Sequence, residues 1–244
     1  MKLTFAGSGD AFGSGGRFNT CFHVAHSGGA FLIDCGASSL IALKRLGLDP
    51  AAIDTIFITH LHGDHFGGLP FFLIDGRLVG KRTAPLTIAG PQGTTERLDR
   101  AMEVMFPGSG KSKLGFDLTV VELPAGETRE VGLVAVATAG MRHPSGAPSL
   151  ALRLTCDRRT VAYSGDTEWV EDLVAIAAGA DLFICECYQY DHPVRYHLDH
   201  ATLTRRRSDI TARRMVLTHM SDAMLAKLDS AAFETAFDGM EIDL

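Results

Sequence analysis

The stretch Thr59 to Gly68 reads THLHGDHFGG and sets His60, His62, Asp64 and His65 within six positions of one another. Imidazole and carboxylate are the side chains a zinc-class ion accepts. The stretch follows DTIFIT, an apolar and β-branched run that reads as a buried strand, and it leads into a Gly-Gly helix start. At the carboxyl end of a strand a loop can aim several side chains at one point. Residues 60 and 62 can converge on one ion while 64 and 65 converge on a second. The alternative is a polar surface loop that happens to carry histidines, but H-x-H-x-D-H closing an apolar strand is a highly specific pattern.

A two-ion site needs further ligands, and three more candidates end apolar runs in the same way. His143 follows LVAVATAGM, Asp166 closes RTVAYSGD and His219 closes RMVLTH. Each alone is more often a satisfied strand-end histidine or a helix-capping aspartate. Together with the first four they form seven strand-end ligands on one rim. Two divalent ions about 3.5–4 Å apart can share a water, bring its pKa near neutrality and hold both oxygens of a displacement at phosphorus. Asp64 could orient such a hydroxide as well as bind metal.

The elements that must position these residues are short. KLTFAG, CFHVAH, AFLIDCG and TIFIT read as strands, LPFFLIDGRLVG as helical, PLTIAG as a strand and TTERLDRAMEVMF as an amphipathic helix. FDLTVVEL, LVAVATAGM, SLALRLTC and RTVAYSGD follow as strands between Gly, Pro and Asp turns. A helix near 168–179, the strand DLFICEC, a helix from about His200, the strand RMVLTH and a helix after Ser221 complete the series. The mixture reads as α/β, or α+β, with sheets covered by helices. No linker or repeat divides the chain, so residues 1–244 are expected to form a single domain. With 46% hydrophobic and 21% charged residues the composition is that of an ordinary globular protein. A formal charge of −6 argues against a surface built for nonspecific nucleic-acid binding. Five cysteines without a CxxC pair fit reduced thiols, and neither a signal peptide nor a membrane span is legible, so the expected location is cytoplasmic. A homodimer is compatible with this composition.

Motif by motif, the chain resembles the metallo-β-lactamase superfamily, in the branch similar to ribonuclease Z and related phosphodiesterases. FAGSGDAFGSGGRFNTCFHV is similar to that branch's Gly-rich opening, FLIDCG to its second motif and THLHGDHFGGLP to its metal motif. RHPSGAPSLALR, YSGDT, DLFICECY, DHAT and VLTHMS resemble the later ones. The resemblance implies a four-layer αββα sandwich with two divalent transition-metal ions at one edge. By it, His60, His62 and His143 hold one ion, Asp64, His65 and His219 the other, and Asp166 bridges them. Zinc is the first expectation, and manganese or ferrous iron suits the same donors. Aspartate at the bridging position departs from the lactamase proper, and His62 departs from the flavodiiron branch.

A leaving alkoxide needs a proton or a positive field, for which Glu186 and His200 are the expected pair, the carboxylate holding the imidazole protonated. Their ordinary fates would be a sheet-edge carboxylate and a helix-start residue. His197, three residues earlier in YHLDHAT, is the rival acid. GSGDAFG imitates a dinucleotide fingerprint but GSGGRFNT stands where the phosphate-facing helix would begin, so its glycines are expected to admit close backbone approach instead. Arg205, Arg206 and Arg207 diverge around a helix and read as a solvated face. Arg142 could reach an anionic substrate or sit in a surface ion pair.

Only 22 residues separate His143 from Asp166, too few for the long basic arm with which ribonuclease Z grips tRNA, and the S-x-G-Y-R element reads Ser149-Leu150-Ala151-Leu152-Arg153. The expected function is therefore a dinuclear metal-dependent hydrolase, a phosphodiesterase acting through a metal-bridging hydroxide on a small, anionic or nucleotide-like diester, with structured RNA disfavoured as a partner. An ester, thioester, lactone or sulfate-ester hydrolase of the same fold, a tRNA 3′ processing endonuclease, and a metal-bearing RNA-binding or regulatory protein with negligible turnover stay open beside it.

Overall fold

A computed structural model describes residues 1–109 and 113–244. The first part of the chain forms β1 (Lys2–Gly7), β2 (Cys21–His26), β3 (Gly29–Ile33), β4 (Ile53–Phe57), β5 (Leu86–Pro91) and β6 (Leu118–Leu123). The second forms β7 (Thr128–Val131), β8 (Val134–Met141), β9 (Ser149–Cys156), β10 (Arg159–Tyr163), β11 (Leu182–Glu186), β12 (Met215–Thr218) and β13 (Glu234–Thr235). A last strand, β14 (Glu241–Asp243), returns to pair with β1. The result is two seven-stranded sheets, ordered β14-β1-β2-β3-β4-β5-β6 and β13-β12-β11-β10-β9-β8-β7. In each sheet an antiparallel meander passes into a parallel run, β3 to β6 in the first and β10 to β13 in the second.

The apolar runs are continuous because these strands are buried on both faces. Along β3, Phe31 and Ile33 enter the core between the sheets while Leu32 joins the opposite cluster. Along β11, Leu182 and Ile184 face the other sheet while Phe183 and Cys185 face outward into a third cluster. That outer cluster of the first sheet is completed by α1 (Ser39–Arg45), α2 (Gly63–Phe66), α3 (Leu69–Leu78) and α4 (Thr94–Met105). The outer cluster of the second sheet holds Leu173 of α5 (Asp172–Ala177), Leu203 of α6 (His200–Arg205) and Met224 of α7 (Asp222–Leu225). Three apolar clusters between helices, sheet, sheet and helices are the packing of an αββα sandwich. All five cysteines are buried and unpaired. Among the described residues no helix is long and apolar enough to cross a membrane.

The strands and helices read from the sequence recur, with differences at the site. The strand read through AFLIDCG stops at Ile33, because Asp34 turns the backbone to φ 59°. The helix expected near 168–179 contracts to Asp172–Ala177, since residues 164–170 form the loop that carries Asp166. Helix α1 and strand β7 carried no expectation.

Candidate metal centre

Five strands deliver the site by their carboxyl ends, the ends at which open sheets generally place ligands. His60, His62, Asp64 and His65 follow β4, His143 follows β8, Asp166 follows β10, Glu186 ends β11 and His219 follows β12. The loops are packed too tightly for side chains at some positions. A Cβ on Gly36 would lie 2.1 Å from the carbonyl oxygen of Asp64, so the turn after β3 can press against α2 only as glycine. There the Cys35 N–H donates to the His65 carbonyl at 2.7 Å and the Gly68 N–H donates to the Cys35 carbonyl at 2.9 Å. Gly7 plays the same part in the opening motif, where a Cβ would stand 1.9 Å from the Asn19 carbonyl oxygen. His219 itself takes a left-handed conformation, φ 57°, uncommon for a residue with a side chain and frequent where a functional site imposes it.

All seven expected ligands come together. His60, His62 and His143 form one group, and Asp64, His65, Asp166 and His219 form a second, each with its donor atoms within 4.8 Å of one another. Asp166 Oδ2 stands between them, 3.8 Å from His60 Nε2 and 3.9 Å from His143 Nε2 on one side, 3.4 Å from His65 Nε2 and 3.3 Å from His219 Nε2 on the other. Asp64 Oδ2 is 3.1 Å from both His65 Nε2 and His219 Nε2.

Hydrogen bonds behind the rings decide which nitrogen faces inward. Asp34 Oδ2 accepts from His65 Nδ1 at 2.6 Å, and the Thr59 hydroxyl, itself donating to Asp34 at 2.8 Å, accepts from His60 Nδ1 at 3.0 Å. The Tyr196 carbonyl accepts from His143 Nδ1 at 2.9 Å. Each leaves an Nε2 lone pair directed into the cluster, the outer-shell arrangement typical of metal-ligating histidines. Burial drives His60 well below the ordinary imidazole range and lowers His62 and His143, so these three remain neutral and able to ligate. In the sequence Asp34 stands out only as part of FLIDCG. Its signal was an acidic residue ending an apolar strand directly before Cys-Gly.

These residues fit a cation by two tests. Nε2 of His60, Nε2 of His65, Oδ1 of Asp166 and Nδ1 of His219 are buried without a hydrogen-bond partner, three of them on the inner side of the cluster. Asp34, Asp64, Asp166 and Glu186 are all at most 7% exposed, yet among the described residues their only ion-pair partners are histidines. Four carboxylates so deeply buried are costly without compensating positive charge. The His and carboxylate donors suit a divalent ion of the zinc, manganese or iron class.

The structure corrects the expected partner of Glu186. His197 Nδ1 lies 3.1 Å from Glu186 Oε2, and the His197 ring stacks 5.6 Å from that of His219. His200 faces away: its Nε2 accepts the Ala232 N–H at 2.9 Å, its ring stacks 4.7 Å from Tyr190, and burial lowers its pKa. The reason is the cap of α6. Asp199 accepts the Thr202 N–H at 2.8 Å and starts the helix there, which turns His200 onto the helix and leaves His197 in the preceding loop over the cluster. Arg142 is an exposed residue paired with Glu168 at 3.4 Å, the surface alternative foreseen for it. Arg206 packs over Trp169 while Arg207 caps the Ile210 carbonyl, so the basic cluster does disperse. Above the ligands lies a cleft of about 280 Å³ lined by Phe12, Tyr188, Val194 and His197.

Sandwich and clustered ligands together define a protein of the metallo-β-lactamase fold with a candidate metal centre at one edge. Residues 1–237 match the family model described as anti-Pycsar protein Apyc1, and the chain belongs to that family. It is similar to ribonuclease Z of Exiguobacterium sp. (strain ATCC BAA-1283 / AT1b), 36% identical over 147 residues, which cover 59% of this chain and 47% of the relative. Ribonuclease BN of Escherichia coli O157:H7 is 40% identical over 116 residues, covering 48% of this chain and 36% of the relative. The chain thus spans about half the length, or less, of these curated relatives. Human tRNase Z, short form, superposes with a TM-score of 0.81 at 26% identity over 100% of this chain and 99% of that one. The metallo-β-lactamase fold protein YhfI of Bacillus subtilis gives 0.77 at 20% identity over 99% of each chain, a likeness of fold alone.

Proposed function

We propose that the protein is a dinuclear metal-dependent phosphodiesterase acting on a small or nucleotide-like diester, with residues 1–244 as one domain. His60, His62 and His143 would hold one ion, Asp64, His65 and His219 the other, and Asp166 would serve both, with zinc as the metal. The observation that carries this reading is the position of Asp166 Oδ2, within 3.9 Å of four ring nitrogens drawn from both groups. Bound ions supply Lewis acidity and an activated water.

The chain's own residues supply the remainder. Asp64, whose pKa is held well below the usual carboxylate range despite its burial, stays ionised and can accept a hydrogen bond from the attacking water. As the phosphorus–oxygen bond to the water oxygen forms, the bond to the leaving alcohol breaks. The leaving oxygen takes a proton from Nε2 of His197, whose Nδ1 is held by Glu186. Relatives named ribonuclease Z and ribonuclease BN cleave, by name, the phosphodiesters of RNA, which supports phosphorus over carbonyl as the reacting centre. For this chain a small substrate is favoured over structured RNA, because β9, β10 and their turn fill most of the segment between His143 and Asp166.

Turnover of bis(p-nitrophenyl) phosphate beside a panel of p-nitrophenyl esters and a lactone tests the reading. Hydrolysis of the diester with little ester or lactone turnover is expected. The reverse preference would move the reaction to carbonyl carbon.

A further inference from the structure

Strands β4 and β10 run out into the ligand cluster and begin at the far end of the sandwich, where two tight hairpins from opposite sheets meet. Ser27-Gly28 joins β2 to β3 between the paired residues His26 and Gly29, and Asp157-Arg158 joins β9 to β10 between the paired residues Cys156 and Arg159. Asp157 and Arg158 both adopt positive φ, 50° and 60°, as the tightest two-residue turns demand. The aspartate also reaches the other tip. Its Oδ2 accepts the Ser27 N–H at 2.8 Å and its Oδ1 accepts the Ser27 hydroxyl at 2.7 Å. One sheet is thereby pinned to the other, and the residues flanking the two turns are brought together.

His26, Cys156 and Asp157 form a cluster there with their donor atoms within 4.8 Å of one another. The His26 side chain is only 1% exposed. Its tautomer follows from its neighbours: Nδ1 accepts the Gly28 N–H at 3.2 Å, so Nδ1 carries the lone pair and Nε2 the proton. That Nε2 is buried without a hydrogen-bond partner, and the carboxylate nearest to it, Asp54 Oδ2, stands 4.0 Å away. Gly29 lets Asp54 lie so close to the hairpin, since a Cβ there would stand 2.5 Å from the same Oδ2. An imidazole that ligates through one nitrogen and turns the other N–H to a carboxylate is the usual arrangement at a metal. Thiol, imidazole and carboxylate together suit a borderline divalent ion such as zinc, and this set contains the sulfur that the centre at the other end lacks. Burial and the charge of Asp157 raise the Cys156 thiol, and a coordinated cation is what would deprotonate it.

We propose that His26 Nδ1, Cys156 Sγ and the Asp157 carboxylate form a separate, mononuclear site for a zinc-class ion, which staples the two sheets together, with Asp54 behind the imidazole and solvent at the fourth position. The donors belong to two exposed hairpin tips, which can close to the roughly 2.0–2.3 Å that zinc takes. Asp54 opens β4 and His60 follows it, so the length of that strand, roughly 15–20 Å, keeps this ion away from the cleft. Its part is structural, and it does not depend on what the cleft hydrolyses. With three protein ligands, one of them on an exposed turn, the site should release its ion more readily than the buried cluster does.

Because the candidate ligands at the other end are histidines and aspartates alone, absorption by thiolate-to-metal charge transfer reports on this site and not on that one. The full chain, brought to two equivalents of zinc and then titrated with cobalt(II), should develop a thiolate-to-cobalt band that saturates at one further equivalent. Cys156→Ser should abolish the band, and Asp54→Asn should weaken the cobalt affinity about 10- to 100-fold, as loss of the carboxylate behind a ligating histidine does. Asp157→Asn, at an exposed turn, keeps the test decisive should Cys156→Ser fold poorly: its cobalt affinity should fall as well. Binding of this ion should also raise the Tm of the wild-type chain, because the unfolded chain does not hold the two hairpins together. No thiolate band at excess cobalt, a band of equal size in Cys156→Ser, or an affinity unchanged in Asp157→Asn would overturn the site. A band without any rise in Tm would overturn its role as a staple.

Discussion

Nδ1 of His197 lies 3.1 Å from Oε2 of Glu186, a carboxylate with no exposed surface. A buried carboxylate needs a partner and an imidazolium gains from one, so the pair holds a proton at the mouth of the cleft. His197→Ala should therefore retain its metal and lose about 10²–10⁴-fold in turnover of diesters with poor leaving groups. It should lose far less on p-nitrophenolate, which needs no proton. His200→Ala should leave turnover nearly intact and lower stability by about 0.5–1.5 kcal/mol, the net worth of its hydrogen bond from the Ala232 N–H. Equal losses on both leaving groups for His197→Ala would make His197 a binding residue.

The same pair sets a pH limb. Burial pushes His197 down, but the charge and hydrogen bond of Glu186 outweigh it and the imidazole sits above its ordinary 6.5. The stability contributed by the raised value is complete below the unfolded value and is lost as pH rises through the folded one. Activity on poor leaving groups should fall over that upper range, and Glu186→Gln should move the falling limb to lower pH. A limb unmoved by Glu186→Gln, followed in kcat/KM against pH, would assign the proton elsewhere.

Purified protein should carry close to two equivalents of transition metal by elemental analysis. Asp166→Ala should lose metal together with activity, since its Oδ2 faces both groups. A stoichiometry of one, unchanged by Asp166→Ala, would remove the bridging role.

Asp34 touches no proposed ion, yet it holds His65 Nδ1 at 2.6 Å and, through Thr59, orients His60. Asp34→Asn should weaken metal affinity about 10- to 100-fold, as loss of an outer-shell partner does. Competition with a chromophoric chelator measures this directly, and unchanged affinity would make Asp34 a fold residue only.

Turnover of a small diester should be nearly independent of salt between 50 and 200 mM, a range over which six to ten phosphate contacts would forfeit roughly 10³–10⁵ in affinity. Precursor tRNA should be a poor substrate. Efficient, steeply salt-sensitive cleavage of precursor tRNA would restore the processing nuclease.

What the sequence determined by itself was a set of candidate ligands at strand ends and a mixture of sheets covered by helices. Strand-end positions follow from local pattern: an apolar run as short and β-branched as TIFIT reads as a buried strand, and the polar residues that follow it emerge at its carboxyl end, which groups His60, His62, Asp64, His65, His143, Asp166 and His219. Tertiary structure decided what depends on loops and on packing between distant segments. His197 and His200 are three residues apart, and nothing local distinguishes them as partners of Glu186. The choice follows from where Asp199 starts α6 and from how the loop before it crosses the cluster to bring the Tyr196 carbonyl to His143. Asp34 shows in sequence only as an acidic residue after an apolar strand; its partner is decided in the fold, where β3 lies beside β4 and the turn at Gly36 brings its carboxylate under His65. Side-chain periodicity is a property of one strand, whereas hydrogen bonds between loops are a property of the whole sandwich.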